Sequence, residues 1–134
     1  MIITRTPFRI SFVGGGSDLP AFYREYGGAV LSSTIDKYMY ISSHDFFEKE
    51  KIRTKYSATE TVNSVDDIEH PILRTIIKKL NVNLGLEISS IADVPAGTGM
   101  GSSSSFTVGT LHNMMAREGK INRVNKAWLG EKAC

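Results

Sequence analysis

Pro95-Ala96-Gly97-Thr98-Gly99-Met100-Gly101-Ser102-Ser103-Ser104-Ser105 is the stretch whose reading decides the fold. Glycines alternate with other residues, and a run of serines then opens a segment with apolar residues at helical spacing. Glycine accepts positive φ and lets a ligand approach the backbone closely. A glycine loop running into a helix aims unpaired N–H groups and the positive end of the helix dipole at one point. Phosphate is the commonest occupant of such an anion site. The competing reading, a flexible Ser/Gly linker, fits poorly because a linker should not run straight into a patterned helix.

Two familiar phosphate loops are excluded. No lysine follows Gly101, so the Walker pattern fails. Gly97, Gly99 and Gly101 are evenly spaced and residue 102 is Ser, so the G-x-G-x-x-G dinucleotide fingerprint fails as well. Without a loop lysine, phosphate charge must be met by backbone dipoles, a metal ion and groups elsewhere. Serine hydroxyls suit Mg²⁺, which takes few protein ligands and keeps the phosphates and waters.

Working outward, Leu84, Leu86 and Ile88 alternate with Gly85, Glu87 and Ser89, which predicts a strand ending at the loop. Phe106, Leu111, Met114 and Met115 predict a helix over 102–118, with its methionines as core filler and Gly119 as its stop. Residues 123–134 read as helical again. Towards the N-terminus, 2–13 reads as a strand broken by Gly14-Gly15-Gly16-Ser17-Asp18. A short helix follows, with Asp18 or Ser17 as cap, Pro20 in its first turn and Ala21, Phe22 and Tyr26 on its buried side. Gly27-Gly28 stop it. Segments 29–35 and 37–44 read as two strands. Residues 51–56 alternate as a half-buried strand whose basic row, Lys51, Arg53 and Lys55, is solvated and protects an edge. The polar stretch 57–68 reads as loop. Ile72, Leu73, Ile76, Ile77 and Leu80 predict an amphipathic helix over 70–80, with His70 at its start as a capping or surface residue. Asp93 reads as a strand-end residue.

The totals narrow the function classes. At 134 residues, 41% hydrophobic and 22% charged, the chain has the composition of one globular domain with a modest core. A net charge of +2 without basic blocks argues against nucleic acid. The sequence carries no signal-peptide pattern and no apolar run of membrane-spanning length, and its single cysteine, Cys134, can form no internal disulfide. The expectation is a cytoplasmic protein with no membrane partner.

The two glycine-rich turns, 14–18 and 97–105, each follow a strand and precede a helix, where polar groups gather at the end of a sheet. Arg9 can meet an anion or stabilise developing charge, or form a surface ion pair. Asp18 can accept from hydroxyls, or cap the helix.

Pro95-x-Gly97-x-Gly99-Met100-Gly101-Ser102-Ser103 closely resembles the second motif of the GHMP small-molecule kinases, P-x-G-x-G-L-G-S-S-A. Met100 stands where Leu is usual and Ser104 where Ala is usual. Pro7-Phe8-Arg9-Ile10-Ser11-Phe12-Val13-Gly14-Gly15-Gly16-Ser17-Asp18 runs in register with the first motif in its galactokinase form, P-G-R-V-N-L-I-G-E-H-T-D. Gly15-Gly16 replaces the Glu-His pair, which argues against galactose. Together with Leu19-Pro20, Tyr26-Gly27-Gly28-Ala29-Val30-Leu31 and Thr34-Ile35-Asp36-Lys37-Tyr38, the pattern is similar to the bacterial D-glycero-D-manno-heptose 7-phosphate kinase branch.

The resemblance implies an α/β (α+β) fold. It would be a mixed sheet with helices on one face and a left-handed βαβ unit, spanning residues 1–134 as an incomplete N-terminal kinase domain. It implies ATP phosphates on Gly97, Thr98, Gly99, Met100, Gly101, Ser102, Ser103 and Ser104, with Ser103 as Mg²⁺ ligand. Gly15, Gly16, Ser17 and Asp18 would hold the sugar, and Arg9 would stabilise the transferring phosphoryl group. The implied reaction moves the γ-phosphoryl of ATP to the anomeric hydroxyl of a heptose 7-phosphate. The family's catalytic Asp sits in a G-K-Q-D-Q-type stretch that the sequence ends before reaching, so the chain by itself should turn over little. An incomplete sheet would expose an edge through which the chain could dimerise. The alternatives are a fucose-type or other sugar kinase, and a non-catalytic ligand-binding module.

Overall fold

The computed structural model describes residues 1–120. A five-stranded mixed sheet has the order β1-β2-β5-β3-β4, built from β1 (Ile2–Val13), β2 (Leu31–Asp45), β3 (Ile52–Lys55), β4 (Thr59–Val62) and β5 (Leu86–Ala92). The helices are α1 (Pro20–Tyr26), α2 (Pro71–Leu80) and α3 (Ser102–Arg117), and Val65–Asp67 forms a short 3-10 turn. The ladders are antiparallel except β3 with β5, which run parallel. The β3-to-β5 connection passes through β4 and α2. The predicted helix over 123–134 lies outside the described residues.

Strand alternation decides which face is covered. Met39, Ile41 and Ser43 of β2, Leu86 and Ile88 of β5, and Ile52 and Thr54 of β3 are buried together. Over them lie Leu73, Ile76 and Ile77 of α2 and Phe106, Leu111, Met114 and Met115 of α3. Burial of this apolar set supplies the main driving force. Asn113 of α3 is fully buried and ties the helix to the sheet. Its Nδ2 donates to the carbonyls of Ile2 (3.2 Å) and Ile41 (2.9 Å), and its Oδ1 accepts from the Ser43 hydroxyl.

Several expectations are corrected. The segments expected at 29–35 and 37–44 merge into one strand, β2, starting at Leu31, because its first half has β1 alone as a neighbour and needs no apolar alternation. The polar stretch 57–68 holds β4, which pairs with β3. So β3 is interior, and its basic row, though partly exposed, protects no edge. Arg53 lies over the Phe46 ring at 4.4 Å, and Lys55 Nζ is 2.5 Å from Glu87 Oε1. That lysine holds the Glu87 carboxyl below its ordinary range, against an opposing effect of burial. The short helix α1 begins after Leu19 without a side-chain cap, so neither Asp18 nor Ser17 caps it. No residue of α1 is buried: Ala21, Phe22 and Tyr26 are all exposed. Phe12 and Val13 of β1, Leu19 and Leu31 are exposed as well.

Candidate functional site

The two sequence motifs meet at Arg9. The β1–β2 ladder is irregular there, with Pro7 opposite Tyr38 but Arg9 opposite Thr34. Such irregularities re-aim side chains and recur beside functional sites. The Arg9 amide donates to the carbonyl of Met100 at 3.2 Å. Two residues earlier, the Pro7 carbonyl accepts from Ser105 Oγ at 3.1 Å. The first strand is therefore stitched to the residue before the N-cap of α3 and to its first turn. The Arg9 side chain lies along Gly101, where an added Cβ would sit 3.2 Å from Arg9 Cγ and 3.4 Å from Nε. Arg9 Nη1 donates to Ser11 Oγ at 2.6 Å.

The start of α3 is open. Its N-cap, Gly101, is left-handed (φ 73°, ψ 30°) and no side chain caps the helix. Ser103 and Ser104 are exposed, Ser102 is half-buried, and an added Cβ at Gly97 or Gly99 would meet nothing within 4 Å. Uncapped amides, a helix dipole and a guanidinium thus share one rim of the molecule. Thr98 Oγ1 donates to the Pro95 carbonyl at 3.2 Å and closes the loop on itself.

The turn 14–18 is a built structure of its own. Gly14 has φ 90°, and a Cβ there would fall 1.9 Å from the Ala29 carbonyl oxygen. Ser17 Oγ lies 2.9 Å from the carbonyl oxygens of both Gly14 and Ala29 and accepts from the Ala29 amide at 3.3 Å. The Ser17 hydroxyl is therefore occupied within the protein. Gly15 and Gly16 face open space, and Asp18 is exposed with no hydrogen bond or ion pair among the described residues. No hydrogen bond joins this turn to the 97–105 loop among the described residues; the first motif reaches the loop through Pro7 and Arg9 of β1.

Sequence reasoning missed a cleft of about 550 Å³ beside the loop. Pro95, Ala96 and Ser102 form its lip, and Tyr56, His70 and Phe106 form an aromatic wall. The His70 ring is tilted 30° against Phe106 with centroids 4.8 Å apart, and Tyr56 meets it edge-on at 4.8 Å. The helix expectation was right about His70 as cap: its Nδ1 accepts from the Leu73 amide at 3.4 Å. Burial pushes its pKa down, against a weaker upward pull from Glu60. Asp93, read as a strand-end residue, accepts from the Tyr38 amide at 2.8 Å through Oδ2. The signal for the cleft was the aromatic at 106, one turn into the helix behind the loop, but its neighbours come from segments far away in sequence.

Residues 68–129 match the GHMP kinases N terminal domain. The chain is 31% identical over 121 residues to D-glycero-alpha-D-manno-heptose 7-phosphate kinase of Campylobacter jejuni, covering 82% of this chain and 36% of that protein. Over residues 68–129 the chain carries a GHMP kinase N-terminal domain. Solved structures share its fold. A D-glycero-D-manno-heptose 1-phosphate kinase from Bacteriodes thetaiotaomicron superposes with a TM-score of 0.83 at 22% identity, over 99% of this chain and 46% of that one. The Methanococcus jannaschii mevalonate kinase superposes with a TM-score of 0.74 at 21% identity, over 98% of this chain and 45% of that one. The chain thus spans less than half the length of these relatives. Among its described residues, no helix is long and apolar enough to cross a membrane.

Proposed function

We propose that this domain binds Mg·ATP on the 95–104 loop and a sugar phosphate near 14–18, and serves phosphoryl transfer to the sugar's anomeric hydroxyl. A heptose 7-phosphate is the substrate named first. The observation that carries the reading is the meeting of Arg9 with the uncapped start of α3, held by the Arg9 amide on Met100. Amides of the first helical turn and the open concavity at Gly97 and Gly99 receive the phosphates. Arg9 then offers a guanidinium to charge developing on the transferring group. Asp18, exposed and free of partners among the described residues, orients a sugar hydroxyl, while Gly15 and Gly16 leave room for the ring. The Ser17 hydroxyl, held by Gly14 and Ala29, shapes the turn.

The donor set fits Mg²⁺ in the manner of a nucleotide-borne ion. The described residues hold no cluster of three or more His, Cys, Asp or Glu side chains that could cage a metal, whereas Ser103 presents an exposed hydroxyl at the phosphate loop. Bound there, Mg²⁺ would neutralise phosphate charge. The nucleoside fits the aromatic cleft beside the loop.

Titration with Mg·ATP tests the nucleotide half. Saturable binding weakened in Ser103→Ala, with unchanged melting temperature, is the expected result. A nucleotide analogue seated elsewhere, with the loop empty, would overturn it. For the substrate, a coupled ADP assay with heptose 7-phosphate, heptose 1-phosphate, fucose and galactose on a protein of the relatives' length discriminates among the sugars. A tight sugar-phosphate complex that never turns over would favour a ligand-binding module instead.

A further inference from the structure

We propose that His70 positions the nucleobase, donating from Nε2 to an acceptor atom of the base inside the aromatic cleft. The proposal rests on the reading that the loop beside the cleft holds the phosphates. Its own support is the way the ring is held. Nδ1 accepts from the Leu73 amide, so the neutral imidazole carries its proton on Nε2, and that nitrogen is the donor left over. Phe106 and Tyr56 fix the ring plane from two sides, at 4.8 Å each. The ring lines the cleft whose lip is Pro95, Ala96 and Ser102, so a base entering beside the phosphates meets it.

A second set of contacts fixes where the ring stands. Glu60 of β4 accepts from the Glu69 amide at 2.9 Å and from Thr54 Oγ1 at 3.0 Å, anchoring the segment that leads into α2. The titratable groups around His70 are Glu60 on β4, Tyr56 after β3, Glu69 beside it and Asp93 across the cleft. Burial outweighs the Glu60 charge and keeps the imidazole neutral at physiological pH. Protonation would turn Nδ1 into a donor facing the Leu73 amide, which breaks the cap and moves the ring. Base recognition through Nε2–H and the cap at the start of α2 through Nδ1 therefore both depend on the neutral ring staying in place.

The test is calorimetric titration with Mg·ATP and with inorganic tripolyphosphate, for wild type, His70→Asn and His70→Phe. Asn keeps an acceptor for the Leu73 amide, and Phe keeps the aromatic wall. Each loses the Nε2 donor. Loss of one buried hydrogen bond should weaken ATP about tenfold in both variants, while tripolyphosphate binds all three alike. In wild type the preference for ATP over tripolyphosphate should also shrink as pH falls below the ordinary histidine value towards the lower value of the folded protein. In the variants it should stay flat. A purely structural His70 would not produce that difference, and if both variants misfold, the wild-type pH profile decides. Variants that keep the full ATP preference, or a wild-type preference that is flat with pH, overturn the role of His70 while leaving the loop reading intact. A wild type that binds neither ATP nor tripolyphosphate overturns both.

Discussion

Arg9 and Met100 are joined main chain to main chain, the Arg9 amide donating to the Met100 carbonyl at 3.2 Å, and this bond registers one motif against the other. Beside it Gly101 packs under the Arg9 side chain with φ 73°. Alanine at 101 meets two penalties. A left-handed conformation costs a residue with a Cβ about 1–2 kcal/mol, and the new methyl must push Arg9 Cγ and Nε aside. Gly101→Ala should lower the melting temperature by several degrees and shift the Nε–H resonance of Arg9. Gly99→Ala, with φ 72° but open space around it, should show the strain without moving that resonance. Equal Arg9 shifts in both variants would mean that the guanidinium does not rest on Gly101.

In the 14–18 turn, the neighbours Ser17 and Asp18 should separate stability from binding. Ser17→Ala removes a hydroxyl bonded to Gly14 and Ala29, at a cost of about 1–2 kcal/mol. Asp18→Asn removes a charge with no partner among the described residues, and should change stability by less than about 0.5 kcal/mol. Its effect should fall on sugar-phosphate affinity, with Mg·ATP binding spared. Chemical denaturation and ligand titration of both variants check this. A strongly destabilised Asp18→Asn would make Asp18 a structural residue.

The elements that could be read from sequence were those whose pattern is set by their own burial. Helices 70–80 and 102–118 emerged close to α2 and α3, since each lays an apolar row on the shared core, whereas strand 2–13 emerged as β1 with Phe8 alone of its residues in that core and Ile10, Phe12 and Val13 exposed. β4 was hidden because Thr59-Glu60-Thr61-Val62 shows almost no apolar alternation and its place comes from pairing with β3. The apolar residues of α1 misled for the opposite reason: Phe22 and Tyr26 have the chemistry of a buried face but remain exposed. At the site, the glycine spacing showed the loop, and Arg9 stood out as a cation just before the first glycine turn, its role toward the phosphoryl group coming from the resemblance. The cleft was not legible, because Tyr56, His70 and Phe106 come from three segments that only the fold brings together.

Asn113 is a buried polar group whose value lies in full satisfaction. It receives the Ser43 hydroxyl and donates to two strand carbonyls. Asn113→Leu fills the space but leaves the Ser43 hydroxyl without this partner and takes one donor from the carbonyls of Ile2 and Ile41, the latter still accepting from Thr4 Oγ1; an unsatisfied buried group costs about 1–3 kcal/mol. The double variant Ser43→Ala/Asn113→Leu should recover part of that loss, because one orphaned group is removed. Urea unfolding of the two single variants and the double variant measures the coupling. Strict additivity would show that the Ser43–Asn113 bond contributes nothing.

Acid should weaken the fold in two separate steps. His70 has a folded pKa below the ordinary value of 6.5, so the unfolded chain takes up the proton first. Stability from its neutral, capping form is complete above about pH 6.5 and declines as pH falls from there towards the lower folded value. Glu60 behaves differently. Burial would raise its pKa, but the amides of Glu69 and His70 and the hydroxyls of Tyr56 and Thr54 outweigh burial and hold it below 4.5. Its ionised form therefore stabilises fully above that value, and the contribution disappears as pH falls through the depressed folded pKa. Melting temperatures recorded from pH 8 to 3 should fall once below 6.5 and again below 4.5. His70→Asn should flatten the first fall and leave the second, while Glu60→Gln should diminish the second. A wild-type melting temperature that holds level between pH 7 and 5 would show that the imidazole titrates alike in the folded and unfolded chain, and the cap at α2 would then owe nothing to its protonation state.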